Sequence, residues 1–225
     1  MAEEMVYVLN DADVRFAVVE DQAQVDKLLE SKDRCAKLEH IIYDDPRGLR
    51  HYEQEFLHSY EEIQGLGRVY AKEHPDFYLG EVAKGYGSDI AIMLYTSGTT
   101  GKPKGVCQTH AAFIAAANGG CEFDQLGPAD NVLSYLPMAW VGDHLFSYAQ
   151  WQVAGFTINC PESGDTVMTD MREIGPTFYF APPRVFENLL TQVMIRMEDA
   201  GALKRRMFHY FMAVALRCGA EILAG

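Results

Sequence analysis

The 225-residue chain is short of positive charge, of long apolar runs and of paired cysteines, and each lack removes a class of function. Nineteen Lys and Arg stand against 32 Asp and Glu, a formal net charge of −13. Residues 1–90 alone hold 20 acidic against 10 basic residues. Such a chain has no electrostatic footprint for nucleic acid, nor for charge-driven attachment to anionic lipid. The five cysteines, at 35, 107, 121, 160 and 218, are scattered, odd in number and include no C-x-x-C pair. A disulfide framework and a zinc cluster are both disfavoured, and a cytoplasmic setting fits. No apolar run is long enough for a bilayer span; the longest, Met207 to Leu216, contains His209 and is followed by Arg217. It reads as part of a buried or amphipathic helix. Met1-Ala-Glu-Glu-Met5 lacks the basic and apolar regions of a secretory signal. Internal repeats and low-complexity tracts are absent too.

What is present is an ordinary globular composition, 48% hydrophobic and 23% charged, in a chain long enough for a sizeable core. Glu3–Leu9 reads as a helix, Val14–Val19 as a strand, Gln22–Ser31 as a helix and Leu38–Tyr43 as a strand closed by Asp44-Asp-Pro-Arg-Gly48. Residues 53–74 look helical and mostly solvated, and 76–87 reads as a linker. Strands are expected over Ile90–Leu94 and Gly105–Gln108, then a helix over 110–118 with Thr109 as its N-cap. Beyond it come a strand at Asn131–Tyr135, a mostly helical stretch at Met138–Val153, a strand at Phe156–Asn159 and a helix at Asp165–Ile174. A short aromatic strand at Thr177–Phe180 precedes a long helix opened by Pro182-Pro183. Strands alternating with helices imply an α/β fold of layered, parallel-rich sheets with crossover helices. Both ends look cut, because the chain opens on a helix and closes on an uncovered apolar one.

The densest chemistry is Tyr95-Thr-Ser-Gly-Thr-Thr-Gly-Lys-Pro-Lys-Gly-Val106, directly after the apolar run Ile90–Leu94. An apolar run breaking into Gly, Ser and Thr is a strand feeding a loop. Glycine lets the backbone approach a ligand, successive N–H groups can form an anion nest, and Lys102 and Lys104 add positive charge. In an acidic chain, two lysines at such a loop point to a specific anion site. A Walker A loop requires G-x-x-x-x-G-K-[ST]. Here Gly98 and Gly101 are two residues apart and Pro103 follows Lys102. The dinucleotide pattern G-x-G-x-x-G fails as well.

These twelve residues resemble the phosphate-loop signature of the AMP-forming adenylating enzymes, the superfamily of acyl-CoA synthetases, luciferases and peptide-synthetase adenylation domains. Leu136-Pro-Met-Ala-Trp-Val-Gly-Asp-His144 and Gly175-Pro-Thr-Phe-Tyr-Phe-Ala-Pro-Pro-Arg-Val-Phe-Glu187 are similar to segments of the long-chain acyl-CoA synthetase branch. The resemblance implies that residues 1–225 are part of that family's large N-terminal AMP-binding domain. Residues 1–88 would be an acidic strand-helix-strand region with a linker, and 89–225 would carry the phosphate loop and part of the acyl pocket. By the same resemblance, Thr96, Ser97, Gly98, Thr99, Thr100, Gly101 and Lys104 contact the triphosphate. Lys102 joins them, although it sits where relatives vary. Thr96 also helps to hold Mg²⁺, Thr96 and Lys104 serve catalysis, and Trp140 and His144, one helical turn apart, line the substrate pocket.

The implied reaction activates a fatty acid with ATP to acyl-AMP and then transfers the acyl group to coenzyme A. Its partners would be fatty acid, ATP and coenzyme A, in the cytoplasm or peripherally at a membrane. The family's Tyr-Gly-x-Thr-Glu and Thr-Gly-Asp segments, hinge and C-terminal domain are not found in these 225 residues. The chain by itself is therefore expected not to turn over. Two alternatives stand beside this one: an adenylation domain that hands its acyl group to a carrier protein, and a non-catalytic nucleotide-binding module.

Overall fold

Burial of one apolar stripe per helix organises the first third of the chain. The computed structural model describes residues 2–96 and 101–224. Helix α1 (Ala2–Asp11), strand β1 (Phe16–Val19), helix α2 (Gln22–Ser31) and strand β2 (His40–Tyr43) follow one another as the alternation predicts. β1 and β2 pair in parallel with Phe16 opposite His40 and Val19 opposite Tyr43. The Asp21 side chain caps α2 by accepting from the Gln24 N–H at 3.1 Å, and Val25 and Leu28 turn inward. Val6, Ala17, Val25, Leu28, Cys35, Leu38, Ile41 and Leu49 form a buried cluster. Each Val, Leu or Ile so buried contributes about 1.5–3 kcal/mol. This cluster fixes α1 on the sheet.

The region expected to be helical from 53 begins instead with a third strand, β3 (Leu57–Ser59), parallel to β2. Three residues are too few to show an alternating pattern, so the helical periodicity that follows masks them. Ser59 then caps α3 (Tyr60–Glu73), accepting from the Glu62 N–H at 3.1 Å. The expected linker contains a short helix, α4 (Phe77–Val82), tied to α3 by the Tyr70 ring, which meets His74 tilted and Phe77 edge-on. Gly80, Gly85 and Gly87 disguise it in the sequence.

Strands β4 (Ile90–Thr96) and β5 (Lys104–Thr109) form an antiparallel pair. Thr109 caps α5 (His110–Asp124) as expected, taking the Ala112 N–H at 3.2 Å. A second parallel pair, β6 (Asn131–Leu133) and β7 (Thr157–Asn159), is connected through a π-helical turn, Asp143–Ala149, and helix α6 (Gln150–Ala154). The stretch from Met138 is thus mostly helical, as expected, from Val141 onward. Ala117, Cys121, Val132, Leu133, Ala149 and Phe156 are buried among these elements. Asp143, also buried, accepts the Ser134 and Ser147 hydroxyls at 2.9 and 3.1 Å. Helix α7 (Val167–Ile174) completes the first compact unit, which ends at Thr177.

Over Thr177–Phe180 the expected strand is reduced to a single β-bridge at Phe178. Thr177 instead spends its hydroxyl and N–H on Asp130 and Asn131. The second unit holds α8 (Pro183–Glu198), with Pro182 at its N-cap, and α9 (Ala202–Leu223). His209 and Arg205 face Glu198 at 3.1 and 3.9 Å. The apolar tract in α9 is not buried: Met207, Tyr210, Phe211 and Leu216 are exposed. No helix among the described residues is long and apolar enough to cross a membrane.

One core position carries an internal penalty. Gln150 is 1% exposed, and neither polar atom of its side chain has a hydrogen-bond partner among the described residues. Its Nε2 lies where a Cβ on Gly120 would sit, 2.3 Å away. An unsatisfied buried amide costs about 1–3 kcal/mol. Gln150→Met should therefore leave stability unchanged or raise it by about 1 kcal/mol, whereas Gly120→Ala should lower it by about 1–3 kcal/mol through overpacking. Urea denaturation of both variants tests this; a clear loss in Gln150→Met would mean the amide is bonded after all.

Candidate functional site

The hairpin mouth is where the sequence places its chemistry. β4 is an apolar run that the pairing continues to its last residue: Leu94 lies opposite Val106, Tyr95 opposite Gly105, and Thr96 opposite Lys104. Thr96 and Lys104 are both exposed, one on each side of the opening to the turn. A hydroxyl and an ammonium facing each other across a strand pair can address one anion together. Ser97, Gly98, Thr99 and Thr100 lie outside the described residues. Gly101 has φ +138°, a left-handed-side conformation that side chains rarely adopt. At Gly105 a Cβ would come within 3.0 Å of Met93 Sδ and 3.1 Å of Tyr95 Cζ. Tyr95 therefore lies close over the Gly105 backbone.

Lys102 goes elsewhere. Its Nζ sits 4.9 Å from the centre of the Tyr7 ring, on α1. The Tyr95 hydroxyl reaches the same helix and donates to Asp11 Oδ2 at 2.6 Å; the Tyr7 hydroxyl donates to Asp11 Oδ1 at 3.4 Å. A groove of about 890 Å³ runs between helix and turn, lined by Glu4, Tyr7, Asp11, Gly101, Lys102 and Pro103 among others. Burial, reinforced by Asp11, pushes the Tyr95 phenol up to about 12. Asp11 and Tyr7 carry no signal in the sequence, since 84 residues separate Asp11 from Tyr95.

Trp140 and His144 lie on the connection between β6 and α6, in elements separate from the hairpin. They do not share a regular helical face: Trp140 is in the bend before the helix and His144 in the π-helical turn. The reason is local. Trp140 N–H donates to Pro137 O, and His144 Nε2–H donates to Met138 O at 2.6 Å, which closes the segment as a turn. Trp140 is 53% exposed.

Comparison with known proteins gives a consistent picture. Residues 1–223 match the family described as AMP-binding enzyme. The long-chain-fatty-acid–CoA ligase ACSBG1 of Rattus norvegicus is 26% identical over 218 residues, covering 93% of this chain and 29% of the rat protein. The chain thus spans under a third of that relative. A long-chain-fatty-acid-CoA ligase of Archaeoglobus fulgidus shares the fold with a TM-score of 0.61 at 17% identity, over 89% of this chain and 36% of the other. An anthranilate CoA ligase solved with anthranoyl-AMP matches at a TM-score of 0.59 and 20% identity, over 80% and 33%.

The Tyr95 environment has a definite pH signature. A phenol whose ionisation is raised by folding stabilises the fold below its ordinary range near 10, and that contribution is lost as pH climbs through about 12. In an alkaline titration followed at 295 nm, subtracting Tyr95→Phe from the native chain should isolate a step near pH 12. Asp11→Asn should bring that step to lower pH; an unmoved step would remove Asp11 as a cause.

Proposed function

We propose that this chain, which belongs to the AMP-binding enzyme family, carries the ATP-gripping part of a ligase that makes long-chain fatty acyl-CoA by way of acyl-AMP. The observation that carries the proposal is the hairpin mouth, where Thr96 and Lys104 pair opposite one another. The names of the curated relatives support the fatty-acid substrate and the coenzyme A acceptor. In the first half-reaction a fatty carboxylate attacks the α-phosphorus of ATP and pyrophosphate leaves. In the second, the coenzyme A thiolate displaces AMP. Charge accumulates on the phosphoryl oxygens in the first step, so fixed N–H groups, hydroxyls and an ammonium accelerate it without covalent participation.

In this assignment Thr96, Ser97, Gly98, Thr99, Thr100, Gly101 and Lys104 hold the triphosphate, and Trp140 and His144 belong to the acyl side. Among the described residues no group of three or more His, Cys, Asp or Glu could hold a metal ion. In this reading Mg²⁺ would arrive with the nucleotide, keeping its waters and phosphate oxygens and needing few protein groups. Thr96 would supply one hydroxyl to it. A carrier-protein acceptor in place of coenzyme A would leave the loop's role unchanged.

Calorimetric titration tests the assignment at its first step. The 225-residue chain is expected to bind MgATP without releasing pyrophosphate. Lys104→Ala should weaken that binding at least roughly tenfold, as loss of a charge-assisted contact does. Equal affinity in native chain and variant would defeat the placement of the phosphates.

A further inference from the structure

A two-stranded hairpin is only marginally stable by itself, yet an anion site needs its two limbs held at a set spacing. Neither limb of this one is left to the hairpin alone. The limb before the turn carries Tyr95, next to last in β4, whose hydroxyl is bound by Asp11 at 2.6 Å. The limb after it is preceded, two residues before β5, by Lys102, whose ammonium lies over the Tyr7 ring at 4.9 Å. Tyr7 and Asp11 are four residues apart on α1 and so share a face. Their own contact at 3.4 Å closes the chain Tyr95–Asp11–Tyr7–Lys102.

The helix that makes these contacts is itself anchored. Val6 is buried in the first core, with Met5 and Leu9 packed against it. Arg34 holds Glu3 through two hydrogen bonds of 2.7 and 2.5 Å, and the Asn10 side chain donates to the Arg34 carbonyl at 3.0 Å. Rigidity of the β1–β2 core is thereby passed to a turn more than 80 residues away.

We infer that Tyr7 and Asp11 are positioning residues for the phosphate turn, and that Lys102 is its anchor on α1 rather than a phosphate ligand. The inference rests on the nucleotide assignment above for what the turn holds, but the clamp is a property of the fold and can be tested without nucleotide. Charge agrees with it. The groove beside Lys102 is lined by Glu4 and Asp11, carboxylates that disfavour a polyanion there. Lys104 alone of the two lysines stands opposite Thr96.

A double-mutant cycle on the 225-residue chain, read by amide hydrogen exchange, decides the matter. Tyr7→Leu and Lys102→Ala should each speed exchange of the Leu94–Thr96 and Lys104–Val106 amides roughly two- to five-fold, the range for one exposed cation–π contact. The double variant should match either single one, and Tyr7→Phe, which keeps the ring, should restore most of the protection. Both sites are on the surface of α1 or the turn, so the variants should fold. Unchanged exchange, or effects that multiply in the double variant, would overturn the clamp. The same proteins are then titrated with MgATP. Equal weakening by Tyr7→Leu and Lys102→Ala supports the anchor role; a clearly larger loss for Lys102→Ala makes it a phosphate ligand and overturns it. A native chain that binds no MgATP sinks the nucleotide assignment, while exchange still rules on the clamp.

Discussion

Antiparallel pairing between Ile90–Thr96 and Lys104–Thr109 is the constraint from which the site follows. Each ladder position fixes which residue stands opposite which, and a slip of one residue would turn every side chain to the other face. The register that puts Tyr95 over a bare Gly105 is the same one that puts Thr96 across from Lys104. A steric requirement and a chemical one are met by a single alignment. A Cβ at Gly105 would crowd the Met93 and Tyr95 side chains, and they would have to shift slightly to admit it.

The hairpin draws its stability from outside itself. The compact cluster around Val25, Leu28, Leu38 and Ile41 holds α1, and α1 holds Tyr95 and Lys102. The acidic character of the first 90 residues then has a local use, because Asp11 supplies the acceptor for the Tyr95 hydroxyl. Arg34 and Arg15 meet Glu3 and Glu39 in surface pairs, which fix geometry more than they add stability. Elsewhere the chain leaves apolar side chains uncovered. Tyr78, Leu79, Phe123 and Leu203 are all exposed, and the chain spans under a third of the rat relative it matches.

Local signals were strong where one side chain makes one contact with its near neighbours. Thr109 bonds an N–H three residues on and marks its helix start in the sequence; Asp21 and Ser59 cap their helices in the same way in the structure. The Pro182-Pro183 pair marks the start of α8 in the sequence. Signals failed where an element is too short for its period to show, as in β3, or where glycines mimic a loop, as in α4. They failed also between 177 and 180, where aromatic residues suggested a strand. There the Thr177 N–H bonds the Asn131 carbonyl and its hydroxyl bonds Asp130, and the pairing stops at a single bridge at Phe178.

The sequence by itself determined the α/β alternation, the hairpin and the family to which the chain belongs, because periodicity and the twelve-residue segment 95–106 are local and travel with the chain. Only the tertiary structure decided that Lys102 turns to Tyr7, that Asp11 takes the Tyr95 hydroxyl, and that Trp140 and His144 share no regular helical face. Those outcomes depend on which groups folding brings within a few ångströms of one another, and contact across 84 residues leaves no periodic trace.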